Sequence, residues 1–390
     1  MDMLKIGVIG IGNIGRAHLK CIYNNEVNSL KVTAICDIQE EKLAMVKENY
    51  ADLETFTDYK ALITSGKVEA VLIAVPHVLH GEIAIYALEH GLHVLVEKPV
   101  DVSVSVASRL NEVAAKSGKV FSIMFNQRTN SHYLRARNLI QGNQLGELKS
   151  VRWTITNWYR TQAYYNSGSW RGTWEGEGGG VLMNQAPHNM DLLQWICGMP
   201  ETVTAFCYSG KHHNIDVEDD VTMFLEYANG ATGVFTTSTG EYPGTNRLEI
   251  NGSKGKIVIE DGIFKHWNLK EDERKVCFES DKGFHKIEYD YTELTEYTET
   301  AHKGIIQNFT NAVLFGEELI ANGMDGIHQI SLTNAAYLSE SMGNQKITLP
   351  VDSVAYDEFL KTMKLRGKKN SAEKAENMNE SYSDRWQVRW

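Results

Sequence analysis

Apolar runs near the start of the chain end abruptly in glycine or charge. LKIGVIG (4–10) runs into G-I-G-N-I-G, and Ile14, Ala17, Leu19 and Ile22 then recur at helical spacing, so strand, glycine turn and helix follow in order. LKVTAICD (30–37), AVLIAVP (70–76) and HVLVEKP (93–99) repeat the plan, separated by segments of helical period such as EEKLAMVKENY (40–50) and HGEIAIYALEHG (80–91), and KVFSIMFNQR (119–128) adds another strand. A strand covered on both faces needs apolar side chains on both, so these runs predict a parallel, doubly wound α/β domain over residues 1–126.

The rhythm then becomes alternating. LKSVRWTITNWYR (148–160), TVTAFCYSG (202–210), DVTMFLEY (220–227), ATGVFTTST (231–239) and NRLEINGSKGKIVIEDG (246–262) predict an α+β domain over residues 127–365, with one large open, mainly antiparallel sheet and helices over 302–316 and 324–343. An open sheet of this kind exposes one face unless partnered, so a homo-oligomer, dimer or tetramer, is expected. Residues 366–390 form a polar tail ending in SYSDRWQVRW; Trp386 and Trp390 are costly to leave in water, so the tail is expected to dock on its own chain or a neighbour's.

Composition narrows the partners. A net charge of -11 disfavours polyanions, so neither nucleic acid nor an anionic membrane is expected as partner. No apolar run approaches the roughly 20 residues that cross a bilayer, and the start MDMLKIGVIG carries no signal-peptide pattern, which points to the cytoplasm. Cys21, Cys36, Cys197, Cys207 and Cys277 are scattered, fitting reduced thiols and no metal site.

Gly10, Gly12 and Gly15, with Asn13 and Ile14 between the last two, form G-x-G-x-x-G between a strand and a helix, where a backbone turn and a helix N-terminus receive a pyrophosphate. Asp37, ending the second strand, is placed to accept from ribose hydroxyls and to repel a 2′-phosphate, so NAD is expected rather than NADP. The loop after the third strand, with Pro76 and His80, should border the cofactor; His80 is expected to pack or hydrogen-bond near the nicotinamide.

Candidate chemistry sits at two places. Glu97, Lys98 and Pro99 end a buried strand, where an ammonium can hydrogen-bond a substrate hydroxyl and Glu97 can pair with a cation or orient cofactor groups. In GEGGGVLMNQAPHNMDLLQWICGMP (176–200), glycines lead into Asn184, His188, Asp191 and Trp195, spaced for one helical face; histidine suits removal of a hydroxyl proton near neutral pH. NWYRTQAYYNSGSWRGTW (157–174) is dense in groups that stack on and donate to sugars: Trp158, Arg160, Tyr164, Tyr165, Trp170 and Arg171, to which Arg128 is added as a substrate candidate. A packed core cap or subunit interface is the other reading of that segment.

The order G-x-G-x-x-G, strand-end Asp, A-x-P-x-x-x-H, E-K-P and G-G-G-x-L-x-x-x-x-x-H-x-x-D resembles the glucose-fructose oxidoreductase / inositol dehydrogenase / rhizopine catabolism family over nearly the whole chain. The resemblance implies an N-terminal Rossmann domain, a C-terminal open-sheet domain and nicotinamide-dependent oxidation or reduction of sugars and cyclitols. It implies Lys98 and His188 as catalytic pair and Asp191 as substrate ligand or support. Asn184 stands where inositol dehydrogenases carry aspartate, which favours a sugar or glycoside, and the chain looks most like enzymes that oxidise pyranosides at C3. Two alternatives stay open: tightly held NAD as a transient redox cofactor in epimerisation or glycoside cleavage, and a non-catalytic dinucleotide-binding regulator.

Overall fold

The computed structural model describes residues 3–366, so the expected docking of the tryptophan-ended tail lies outside the described residues. The chain forms two compact units. Of the described residues, one takes 3–129, Gly176–Gly178 and Thr300–Ile330; the other takes Asn130–Glu175, Gly179–Glu299 and 331–366.

The first unit carries β1 (Leu4–Ile9), β2 (Leu30–Cys36), β3 (Glu54–Phe56), β4 (Ala70–Ile73), β5 (His93–Val96) and β6 (Phe121–Ile123). They form one parallel sheet in the order β3-β2-β1-β4-β5-β6. All four residues of β4 are buried, as a central parallel strand requires, and each fully buried aliphatic side chain contributes roughly 1.5–3 kcal/mol. The strand order reverses between β1 and β4, which opens a crevice at the carboxyl ends of the strands, where such sheets bind ligands. The expected strand over 119–128 is shorter, because a 3₁₀ turn at Asn126–Thr129 follows it. The return of 300–330 has no signal in local periodicity; it is held by Ser122 Oγ donating to Ala321 O at 2.8 Å and Asn111 Nδ2 to Met324 O at 3.0 Å.

The second unit is built on β7 (Leu148–Ile155), β8 (Thr202–Ser209), β9 (Glu218–Glu226), β10 (Thr232–Ser238), β11 (Asn246–Gly252), β12 (Gly255–Glu260), β13 (Ile263–Leu269), β14 (Tyr289–Leu294) and β15 (Ile347–Thr348). Their order is β14-β13-β12-β11-β7-β10-β9-β8-β15, and the pairings are antiparallel except β7 with β10. One face is closed by side chains such as Trp153, Met223 and Phe235; on the other, Phe206, Tyr208, Phe224 and Val234 are exposed. Among the described residues no helix is long and apolar enough to cross a membrane.

Candidate active site

In the first unit, backbone contacts explain the first and third glycines of the turn after β1. Gly10 has a φ of +94°, and a Cβ on Gly15 would lie 1.9 Å from Gly10 O, so helix and turn touch only because both lack side chains. A Cβ on Gly12 would meet nothing within 4 Å: that glycine faces open space. The helix Asn13–Tyr23 starts with no acidic residue in its first turn and no side-chain cap, leaving its N–H groups directed at an approaching anion. Asn13 accepts from Arg16 at 2.8 Å instead of capping. The Asp37 carboxylate accepts from Ile11 N at 2.8 Å and Gln39 N at 3.0 Å, with Lys42 Nζ 3.7 Å away. Asp37 thus ties the glycine turn to β2, and a carboxylate's four lone-pair sites leave it acceptor capacity for ribose hydroxyls.

The turn after β5 sits beside this crevice, since Glu97 N continues the ladder to Ile73 O at 2.9 Å. Across residues 94–104 every position is buried except Lys98, and the Lys98–Pro99 peptide is cis. The side chain that meets Glu97 is His18, from the first helix, with Nε2 2.7 Å from Oε1; Glu97 Oε2 also accepts from Lys98 N at 3.2 Å. Burial alone would push the Glu97 carboxyl up, but the His18 hydrogen bond and charge, with His302 and Lys98, hold it down to about 2. Burial pushes the neighbouring His302 down to about 4. Glu97 therefore stabilises the fold above its unfolded pKa of 4.5, and that share is lost as pH falls toward 2. The loss is on the order of 3 kcal/mol, and denaturant titrations at stepped pH should show it in the native chain and not in Glu97→Gln.

In the second unit the single helix expected over 184–195 is two. Val181–Asn184 is a short helix, and Pro187 starts Pro187–Cys197, where its missing N–H costs nothing. Across 178–194 only Asn184 and His188 escape full burial. Asp191, expected on the same face, is buried and accepts from Gln194 Nε2 at 3.0 Å. Trp195 is half-buried, with the Arg137 guanidinium 4.4 Å from its ring. The first of these helices is anchored by Glu218 at the start of β9, whose carboxylate accepts from Gly180 N at 2.8 Å, Leu182 N at 3.0 Å and Tyr337 Oη at 2.7 Å.

The aromatic segment converges on Tyr164. Its hydroxyl oxygen accepts from Arg171 Nη1 at 2.6 Å and from the side-chain amides of Asn184 and Gln185, both at 3.3 Å. The Arg171 guanidinium lies 4.5 Å from both the Tyr164 and the Trp170 rings, and Arg160 lies 5.3 Å from Tyr164. Trp170 and Arg171 are half-buried, whereas Trp158 and Tyr165 are buried and Tyr165 meets Thr239 Oγ1 at 2.9 Å. Arg128, expected among the substrate residues, is buried, pairs with Asp325 at 2.8 Å and lies over the Phe125 ring, where it braces the returning chain.

Comparison with known proteins decides the affiliation. Residues 4–125 match the oxidoreductase family with an NAD-binding Rossmann fold, and residues 133–258 match the GFO/IDH/MocA C-terminal domain. An inositol 2-dehydrogenase from Salmonella paratyphi B is 33% identical over 266 residues, covering 66% of this chain and 74% of that protein. The chain belongs to the GFO/IDH/MocA oxidoreductase family. Another relative of this family member is the levoglucosan dehydrogenase of Pseudarthrobacter phenanthrenivorans, 26% identical over 73% of this chain and 78% of that one. Among solved structures, the WlbA dehydrogenase of Bordetella pertussis in complex with NADH and UDP-GlcNAcA is 25% identical with a TM-score of 0.75, covering 90% of this chain and 100% of that chain.

The first unit of this GFO/IDH/MocA protein is an NAD-binding Rossmann fold, and its residues fit the dinucleotide. The open space at Gly12 and the uncapped helix would hold the pyrophosphate, Asp37 the ribose, and the loop at Pro76 would flank the nicotinamide end. Sequence reasoning missed His18, Gln185, Glu218 and Tyr337. Only His18 had a local signal, three residues after Gly15 on the buried face of a short amphipathic helix.

Proposed function

We propose that this NAD-dependent enzyme oxidises, or in reverse forms, a secondary hydroxyl of a sugar, glycoside or cyclitol. One observation carries the reading: Lys98 and His188 are polar openings in two otherwise buried segments. When bound, NAD supplies the hydride acceptor. His188 is the base for the hydroxyl proton, and Lys98 is the donor that stabilises charge developing on a substrate oxygen. Asp191, held by Gln194, supports the helix that carries His188. Asn184, Tyr164, Trp170 and Arg171 supply stacking faces and donors for ring hydroxyls. The relatives named for inositol and levoglucosan support a carbohydrate or cyclitol; the amide of Asn184 favours a sugar or glycoside within that class, and the sequence resemblance favours a pyranoside oxidised at C3. The experiment is a substrate panel of glucosides, free hexoses and inositols at saturating NAD, read as reduced nicotinamide; oxidation of inositols alone would remove the glycoside reading.

NAD preference follows from the Asp37 carboxylate. Asp37→Ser should lower the NAD-to-NADP ratio of kcat/KM by about 10²-fold, since it removes both the ribose acceptor and the charge that repels a 2′-phosphate. Steady-state kinetics with both dinucleotides measure it. The five free cysteines support a reducing compartment such as the cytoplasm. Phe206, Tyr208, Phe224 and Val234 on the open sheet face favour a homo-oligomer. Light scattering at micromolar concentration should give a dimer or tetramer, and Phe224→Lys should shift it toward monomer.

A further inference from the structure

His80 opens the helix His80–Glu89 that follows β4, and its side chain is buried at 1% exposure. Its Nδ1 lies 2.6 Å from Pro99 O and its Nε2 2.8 Å from Val75 O. A neutral imidazole has one N–H and one bare nitrogen, so it can satisfy only one of these carbonyls and must turn a lone pair onto the other. An imidazolium donates to both. We propose that His80 is held as an imidazolium that pins the ends of β4 and β5 to each other, and so acts as a positioning residue for Lys98.

The charges around the ring are mixed. Burial, the largest influence, takes the His80 pKa below its ordinary 6.5, and Lys98 adds to the fall; the Pro99 and Val75 carbonyls and the Glu97 carboxylate oppose it without reversing it. His77 stands 5.9 Å away between ring centroids, and the Asp101 carboxylate accepts from Gly81 N at 3.2 Å, bringing a second negative group to the start of the helix. Two close acceptors decide, because repulsion between a bare nitrogen and a carbonyl oxygen at these distances would push the ring out of the position it holds. Pro99 follows Lys98 directly, so a bond to Pro99 O limits where the lysine backbone can go.

The positioning role rests on the proposed part of Lys98; the charge state does not. Nitrogen-15 spectra of the full-length protein labelled at histidine, with His80 assigned by its loss in His80→Gln, should show two protonated ring nitrogens from about pH 6 to 8. A ring with one bare nitrogen in that range overturns the inference. Kinetics test the consequence. His80→Gln, which can donate to one carbonyl at a time, should lose about tenfold in kcat with KM for NAD unchanged. In combination with Lys98→Ala it should add no further loss, because the clamp acts through the lysine. Independent, additive losses would show that His80 serves the fold alone and would overturn the positioning role.

Discussion

Lys98→Ala should lower kcat by about 10²–10⁴-fold while leaving the affinity for NAD within a few-fold. The separation follows from the geometry. The glycine turn, the uncapped helix start and Asp37, proposed above to hold the dinucleotide, lie at the ends of β1 and β2, whereas Lys98 follows β5. Lys98 is instead the single open position on a turn whose Glu97 neighbour is locked to His18. On the proposed mechanism truncation removes the ammonium that donates to the reacting oxygen and leaves the Glu97–His18 contact intact. Lys98→Arg keeps the charge but spreads it over a longer planar fork, so it should recover only part of the rate. Turnover with the best panel substrate and calorimetric NAD titration measure the two quantities. Native turnover in Lys98→Ala would remove Lys98 from the chemistry.

Glu218→Ala should destabilise the second unit by about 3–5 kcal/mol, since each donor left buried without an acceptor costs about 1–3 kcal/mol and three converge on this carboxylate. Tyr337→Phe removes one donor along with its need for an acceptor and should cost about 1 kcal/mol. The larger change corresponds to roughly 10 °C in Tm. It should also cost activity, because Glu218 holds the turn at Gly180 from which the chain runs to Asn184 and His188; a Cβ on Gly180 would lie 1.9 Å from Glu218 O, so this approach has no slack. Burial pushes the Glu218 carboxyl up to about 7, above its unfolded 4.5. The unfolded chain gives up that proton first, so the native contribution of Glu218 falls as pH rises from 4.5 through 7. This is the opposite slope to Glu97, and Glu218→Ala should lack it.

The cofactor half is legible in sequence because each part needs a residue type at a local position: glycine where helix and turn touch, an acid at a strand end, a cation where a buried strand opens. The support around it is not. His18 meets Glu97 from 79 positions away and Glu218 reaches Gly180 from 38, so no local period carries either contact. The break between Asn184 and His188 did have a signal in Pro187, which the four-residue spacing of the polar side chains masked. Spacing alone also grouped Trp158 and Tyr165 with Trp170 and Arg171, because composition records which residues stack and not which are covered. β14 escaped because strand–strand pairing holds a polar, mostly exposed sheet edge that has no apolar face to announce it.

The most direct measurement of the central claim is absorbance at about 340 nm on the purified protein with glucosides, free hexoses and inositols, with and without added NAD. The account predicts a reduced-nicotinamide band that needs both a polyol and added NAD, continues over many turnovers and is lost in Lys98→Ala and His188→Ala. A band that appears without added NAD and stops at one equivalent would contradict an exchangeable cofactor, and no band with any polyol, in a protein shown to bind NAD, would contradict the dehydrogenase reading itself.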